Sequence, residues 1–164
     1  MKALIKVGYA CNDHCTFCHT YDVRHIDDTA DRVAQKIRRA AALGHSMVVF
    51  SGGEPTIRPE IVSWAKFANQ LGLAVGLVTN GRMLSYAPFL ERMLARRLEY
   101  VYLSLHGGDE RVHDASVRSH AFAETARVTE AVVGVLLPFL PIALLALALW
   151  WLARRRGAAN APAP

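Results

Sequence analysis

Three cysteines fall within eight residues, Cys11-Asn-Asp-His-Cys15-Thr-Phe-Cys18, and the chain has no others. An odd, tightly clustered set is a poor disulfide framework and a good metal site. Thiolates spaced C-x3-C-x2-C on a loop can turn inward on a single centre. Iron–sulfur clusters with four irons usually take four cysteines. Three would leave one iron open, as a catalytic metal requires. A zinc site with His14 or His19 as fourth ligand is the alternative. His19, Tyr21, His25 and His45 otherwise read as exposed or structural side chains, and Arg38-Arg39 as a solvated helix face.

Further downstream, Ser51-Gly52-Gly53-Glu54-Pro55 combines two glycines, which let backbone approach a partner closely, with a carboxylate. A carboxylate there can pair with an ammonium group through charge-assisted hydrogen bonds. Thr79-Asn80-Gly81 reads either as a plain Asn-Gly turn or as a ligand-facing loop. Ser104-Leu105-His106-Gly107 is another polar turn, and His113-Asp114 and Arg118 follow it.

What must position these residues is an alternation of strands and helices. β-Formers at 3–9 predict a strand that runs directly into the cysteine loop. Apolar positions at Val33, Ile37, Ala40, Ala41 and Leu43 predict an amphipathic helix over 28–43, with Gly44 as its stop. Strands are predicted at 47–50, 73–79 and 100–105. Helices are predicted at 59–71 and 83–97, with Pro88 kinking the second or moving its start. This order argues for parallel βαβ units. In such sheets ligands gather at the carboxyl ends of the strands, and all four polar segments follow strands.

The cysteine spacing, with Phe17 just before the third cysteine, resembles the signature of the radical S-adenosylmethionine (SAM) superfamily. The Gly52-Gly53-Glu54 segment is similar to its GGE motif, and Thr79-Asn80-Gly81 to its TNG segment. The resemblance covers residues 1–127. It implies an α/β fold, a partial (βα) barrel of which about four of six βα units are present. It implies Cys11, Cys15 and Cys18 as ligands of a 4Fe–4S cluster, whose open iron chelates the methionine moiety of SAM. Gly52, Gly53 and Glu54 would bind the SAM amino group. Phe17, Asn80, Ser104 and His106 would lie near SAM. The implied activity is reductive cleavage of SAM to a 5′-deoxyadenosyl radical and hydrogen abstraction from an unidentified substrate. The electron donor would be a flavodoxin or ferredoxin.

Charge is informative mainly by its distribution. Residues 1–117 carry 14 Lys and Arg against 12 Asp and Glu; residues 118–164 carry five Arg against two Glu, three of the Arg consecutive. No basic stripe interleaved with aromatics appears, so nucleic acid is not an expected partner. Thiols kept for metal place residues 1–127 in a reducing, cytoplasmic setting.

After Arg127 the pattern changes. Residues 131–153 contain no charge in 23 positions, and Trp150, Trp151 and three Arg close the run. This predicts a transmembrane helix and a membrane-associated chain, followed by a basic and then low-complexity tail at 154–164. The fifth and sixth family units are not legible there. The expectation is a shifted reading frame, a fusion to a membrane anchor, or strands supplied by another chain. A non-catalytic, membrane-associated metal-binding remnant is the competing function. An unpaired edge on the fourth strand is expected as well.

Overall fold

The structure is a computed structural model that describes residues 1–136, with side chains as far as Thr129. Two compact units divide the chain, Met1–Val128 and Thr129–Pro164. The first is an α/β unit.

Its sheet has four parallel strands in the order of the sequence: β1 (Lys2–Lys6), β2 (Met47–Ser51), β3 (Ala74–Thr79) and β4 (Leu98–Leu103). The register runs Leu4 to Val49 to Gly76 to Tyr100 across the sheet. Residues Val48 and Phe50 of β2 and Val75 and Leu77 of β3 are fully buried, as strands covered by helices must be. Three helices alternate with the strands: α1 (Ala30–Ala42), α2 (Ile61–Gln70) and α3 (Ala87–Leu94).

Local chemistry explains each helix. Thr29 starts α1 by accepting a hydrogen bond from the Arg32 amide at 3.2 Å. Val33, Ile37 and Ala40 then bury one face against the sheet, and Gly44 follows the helix end in the left-handed region at φ 74°. Along α2, Ile61, Trp64, Ala65 and Ala68 occupy the equivalent stripe. A 3-10 turn at Arg82–Ser85 precedes α3, and Pro88 lies in the first turn of α3. Pro88 thus moves the helix start rather than kinking it, because proline fits the first turn, where its missing N–H costs no bond.

Two expectations are corrected. The fourth strand spans Leu98–Leu103 rather than 100–105; its last pair is Leu103 with Thr79, the last residue of β3. Residues 110–117 and 122–136 form helices α4 (Glu110–Val117) and α5 (Phe122–Leu136) that the sequence pattern did not announce. Asp109 caps α4 through the Val112 amide at 2.9 Å. Asp114 receives the Ala121 and Phe122 amides and so caps α5 from a distance.

β4 is the outer strand among the described residues, with Val101 and Tyr102 40% and 58% exposed. The transmembrane helix expected at 131–153 lies outside the described residues beyond Leu136. No helix among the described residues is long and apolar enough to cross a membrane.

Candidate functional site

The loop that leaves β1 carries all three cysteines and is built in two parts. Its stem, residues 7–13, runs against the loop that leaves β2. The Val7 amide donates to the Ser51 carbonyl, the Gly53 amide to the Gly8 carbonyl and the Glu54 amide to the Ala10 carbonyl, at 2.9, 3.0 and 2.8 Å. These contacts explain the glycine pair. A Cβ on Gly52, whose φ is 145°, would stand 2.0 Å from the Gly8 carbonyl oxygen. One on Gly53 would stand 2.2 Å from the Tyr9 oxygen and 2.3 Å from the Ala10 oxygen. No side chain fits at either place. The close approach that two glycines permit is made, at least in part, to the stem of the cysteine loop itself.

Glu54 is 2% exposed, and its carboxylate joins three segments. Oε1 accepts from the Thr56 amide and hydroxyl and from the Thr79 hydroxyl, and Oε2 accepts from the Asn80 amide at 2.7 Å. Burial pushes its carboxyl upward in pKa, against the pull of these donors from Thr56, Asn80 and Thr79. Asn80 in turn donates its side-chain amide to Asn12 Oδ1 and Asp13 Oδ2, at 2.8 and 2.9 Å. Gly81 turns the chain at φ 82°.

Arg82 completes the stem. It donates through Nη1 to the Asn12 carbonyl at 2.9 Å, to Asp13 at 3.1 Å and to Ser119 at 3.0 Å. Its Nε pairs with Glu124 of α5. Asp13 is 2% exposed, so this ion pair is the buried anchor of the loop. Sequence reasoning missed Asp13 and Arg82. Nothing local marks them, because Asp13 and Arg82 meet only across 69 positions of chain.

Residues 14–18 form the second part. The His14 and Thr16 amides donate to the Val117 and Ser116 carbonyls at the end of α4, at 2.8 and 2.9 Å. Cys11, Cys15 and Cys18 are free thiols of intermediate exposure. Burial raises the Cys11 thiol to about 11 and raises Cys15 too, helped by Asp13. Cys18 moves the other way. Burial would raise it, but Thr20 and Arg24 hydrogen-bond its sulfur, at 3.4 and 3.5 Å, and prevail. Arg24, also unremarked in the sequence, reaches Asp13's carbonyl as well.

The remaining candidates divide. Phe17 is exposed and meets His106 edge-to-face, with ring centroids 4.8 Å apart. Ser104 is fixed next to β3 by its amide on the Thr79 carbonyl at 3.0 Å. The His106 amide donates to His113 Nδ1 at 3.2 Å. His113 is 1% exposed, and its burial lowers the imidazole pKa. Arg118 ends α4 in the left-handed region at φ 50°. His19, Tyr21 and His25 are exposed, and Arg38 lies over the Phe67 ring on the surface. Thus the Cys, Gly-Gly-Glu and Thr-Asn-Gly segments meet at the carboxyl ends of β1, β2 and β3, with Ser104 beside them.

Convergence of ligand atoms distinguishes kinds of metal site. Among the described residues, the one group of His, Cys, Asp and Glu ligand atoms within 4.8 Å of one another is Glu110, Asp114 and His120, on the surface. A single zinc with ~2.3 Å bonds draws its sulfurs to roughly 4 Å of each other. A four-iron cluster instead takes each thiolate on a separate iron.

The chain is 31% identical over 107 residues to the AdoMet-dependent heme synthase of Methanosarcina barkeri, covering 63% of this chain and 30% of that protein. It is 29% identical over 138 residues to the PqqA peptide cyclase of Streptomyces rochei, covering 82% and 38%. The chain therefore spans about a third of the length of these relatives. Among solved structures, Streptococcus suis SuiB superposes with a TM-score of 0.59 at 22% identity, over 72% of this chain and 27% of that one. The structure of anSMEcpe with bound AdoMet and Cp18Cys peptide gives 0.59 at 22%, over 79% and 38%. Both likenesses show the fold. The model of the Radical SAM superfamily, whose members use a 4Fe–4S cluster and SAM, matches residues 5–139, and the chain belongs to that family.

Proposed function

We propose that this chain carries the cluster- and SAM-binding part of a radical SAM enzyme, with Cys11, Cys15 and Cys18 as the cluster ligands. The observation that carries the reading is the seating of three free thiols on a loop whose stem is bonded to both the Gly-Gly-Glu and the Thr-Asn-Gly segments. The donor set fits the group. Thiolates suit iron–sulfur clusters, and the Arg24 Nε, buried beside them, has no acceptor of its own. When bound, the cluster and SAM supply a 5′-deoxyadenosyl radical for hydrogen abstraction.

The chain's own residues would do the holding. Gly52 and Gly53 keep the backbone thin where the β2 loop meets the cysteine stem. Glu54 spends most of its acceptor capacity on Thr56, Thr79 and Asn80. A carboxylate offers about four lone-pair sites, so what remains for the SAM ammonium group is on Oε2. Asn80, Ser104, His106 and Phe17 line the same edge and would bound the rest of SAM. One electron must come from outside, from a donor of the flavodoxin or ferredoxin class. A cluster on free thiols also calls for a reducing compartment. The relatives' names span a heme synthase, a peptide cyclase and a probable GTP cyclase. That they differ in what they act on supports reading the part shared with this chain as the radical-generating one.

Anaerobic reconstitution with iron and sulfide tests the reading. The expected product is brown, holds four irons per chain, and shows an electron paramagnetic resonance (EPR) signal that SAM perturbs. Loss of the signal on Cys11→Ser, Cys15→Ser or Cys18→Ser is expected as well. A colourless protein with one zinc per chain, and no iron uptake, would overturn it.

A further inference from the structure

Arg24 is the only charged side chain among the described residues that reaches a cysteine sulfur. It follows a 3-10 turn at Tyr21–Val23, which lifts it back over the thiol segment. Its Nη2 donates to Cys18 Sγ at 3.5 Å, and its Nη1 donates to the Asp13 carbonyl and lies 3.3 Å from His14 Nδ1. The guanidinium sits 4.9 Å from the Tyr21 ring centroid. Its Nε is buried without an acceptor. No carboxylate pairs with Arg24 among the described residues; the nearby Asp13 carboxylate is taken by Arg82 and Asn80. Here, then, is a permanent cation with no anion of its own, aimed at sulfur. Thr20 adds a second hydrogen-bonding group on the same sulfur. Cys11 has only the Asp13 amide, at 3.5 Å.

Hydrogen bonds to cluster sulfurs and nearby charge are among the levers that set the potential of an iron–sulfur cluster. A cation favours the form that carries one more electron, and a hydrogen bond to thiolate withdraws charge from the iron it ligates. We propose that Arg24, with Thr20, sets the reduction potential of the cluster through Cys18, keeping it within reach of a one-electron donor. This rests on the cluster reading above. The step concerned is the transfer of one electron from a reductant of the flavodoxin or ferredoxin class to the oxidised cluster; no covalent bond forms or breaks in it. Arg24 is a positioning residue here, acting through Cys18 rather than on substrate.

The test is an EPR-monitored redox titration of the full chain after anaerobic reconstitution, with iron and sulfide counted for every variant. Arg24→Gln is expected to keep its iron and to lower the ratio of reduced to oxidised cluster at least threefold at a fixed potential. That is about 28 mV at 59 mV per tenfold for one electron. Arg24→Lys, which keeps the charge but loses the fork, is expected to fall between the two. Thr20→Val is expected to shift the same way by less. A loaded Arg24→Gln protein with an unchanged potential would show a mere loop brace and overturn the inference while leaving the cluster reading intact. Should Arg24→Gln take up no iron, unchanged potentials in both Arg24→Lys and Thr20→Val overturn it equally. An unmodified chain that takes up no iron overturns the cluster reading, and this inference with it.

Discussion

Residues 7–13 and residues 14–18 are consecutive stretches of one loop, yet they are built in opposite ways. In the first, backbone is pressed onto backbone through Gly52 and Gly53, and Asp13 is sealed behind Arg82 and Asn80. In the second, two amides and the Thr16 hydroxyl bond to the end of α4, Phe17 meets the His106 ring, and Cys15 and Cys18 stay half-exposed free thiols, while Cys11 lies in the stem. The stem is held mainly by backbone bonds and the buried Asp13, and the second stretch mainly by bonds to the end of α4 and by Thr20 and Arg24 on Cys18. This difference separates a tightly braced stretch from a looser one within the same loop.

The stability of the metal-free chain in urea should expose this split. Gly53→Ala puts a methyl group into two carbonyl oxygens and should cost more than about 3 kcal/mol or prevent folding. Gly44→Ala, with no atom within 4 Å of its Cβ, should cost only about 1 kcal/mol for its positive φ. Equal losses at the two sites would mean that the stem is not tightly seated. Glu54→Ala strands the Thr56, Thr79 and Asn80 donors, with an expected loss of about 2–3 kcal/mol. Asp13→Asn weakens the pair with Arg82, which is a fifth exposed, and should cost about 1–2 kcal/mol.

A pH series refines the comparison near α4. The buried His113 has its pKa lowered by desolvation, so the folded chain binds fewer protons there than the unfolded chain does. Its contribution is therefore complete above about pH 6.5 and is lost as pH falls from there through the folded value. Thermal melts from pH 7.5 to 5 should show that decline, and His113→Phe should flatten it. A decline that is identical in both proteins would rule His113 out as its source. The smallest change is expected at Cys18→Ser, within about 0.5 kcal/mol of the parent, although the same variant should abolish iron binding. A large loss of metal-free stability there would place Cys18 in the scaffold after all.

Much of the frame was legible because short-range chemistry decides it. Apolar spacing located α1, because burial on one face demands that pattern, Pro59 and Gly72 bracketed α2, and short apolar runs located β2 and β3. The cysteine, glycine and Asn-Gly signals survive in sequence because each lies within a few residues. β4 was misplaced because Arg97, at φ 52°, starts the strand early with Leu98 and Glu99, which resemble the tail of a helix. α4 and α5 went unread because their caps, Asp109 and Asp114, sit in a stretch whose histidines drew a motif reading instead. The Asp13–Arg82–Glu124 chain could not be read at all, since its members are joined only by the fold. The glycine pair was assigned to a ligand alone, whereas the structure shows it also admits the protein's own backbone.

The strands lie in the sheet in the order in which they are synthesised. Each new strand adds to the growing edge without having to insert between two others, so assembly can keep pace with translation. The cysteine stem can take its backbone bonds as soon as Glu54 has left the ribosome. The Thr79 and Asn80 donors to Glu54 follow it by 25 and 26 residues in the chain. On this order of arrival, the loop's backbone bonds are expected to form before the Glu54 carboxylate gains its Thr79 and Asn80 partners. A nascent chain arrested before β3 should be markedly more sensitive to protease at the cysteine loop than one arrested after it.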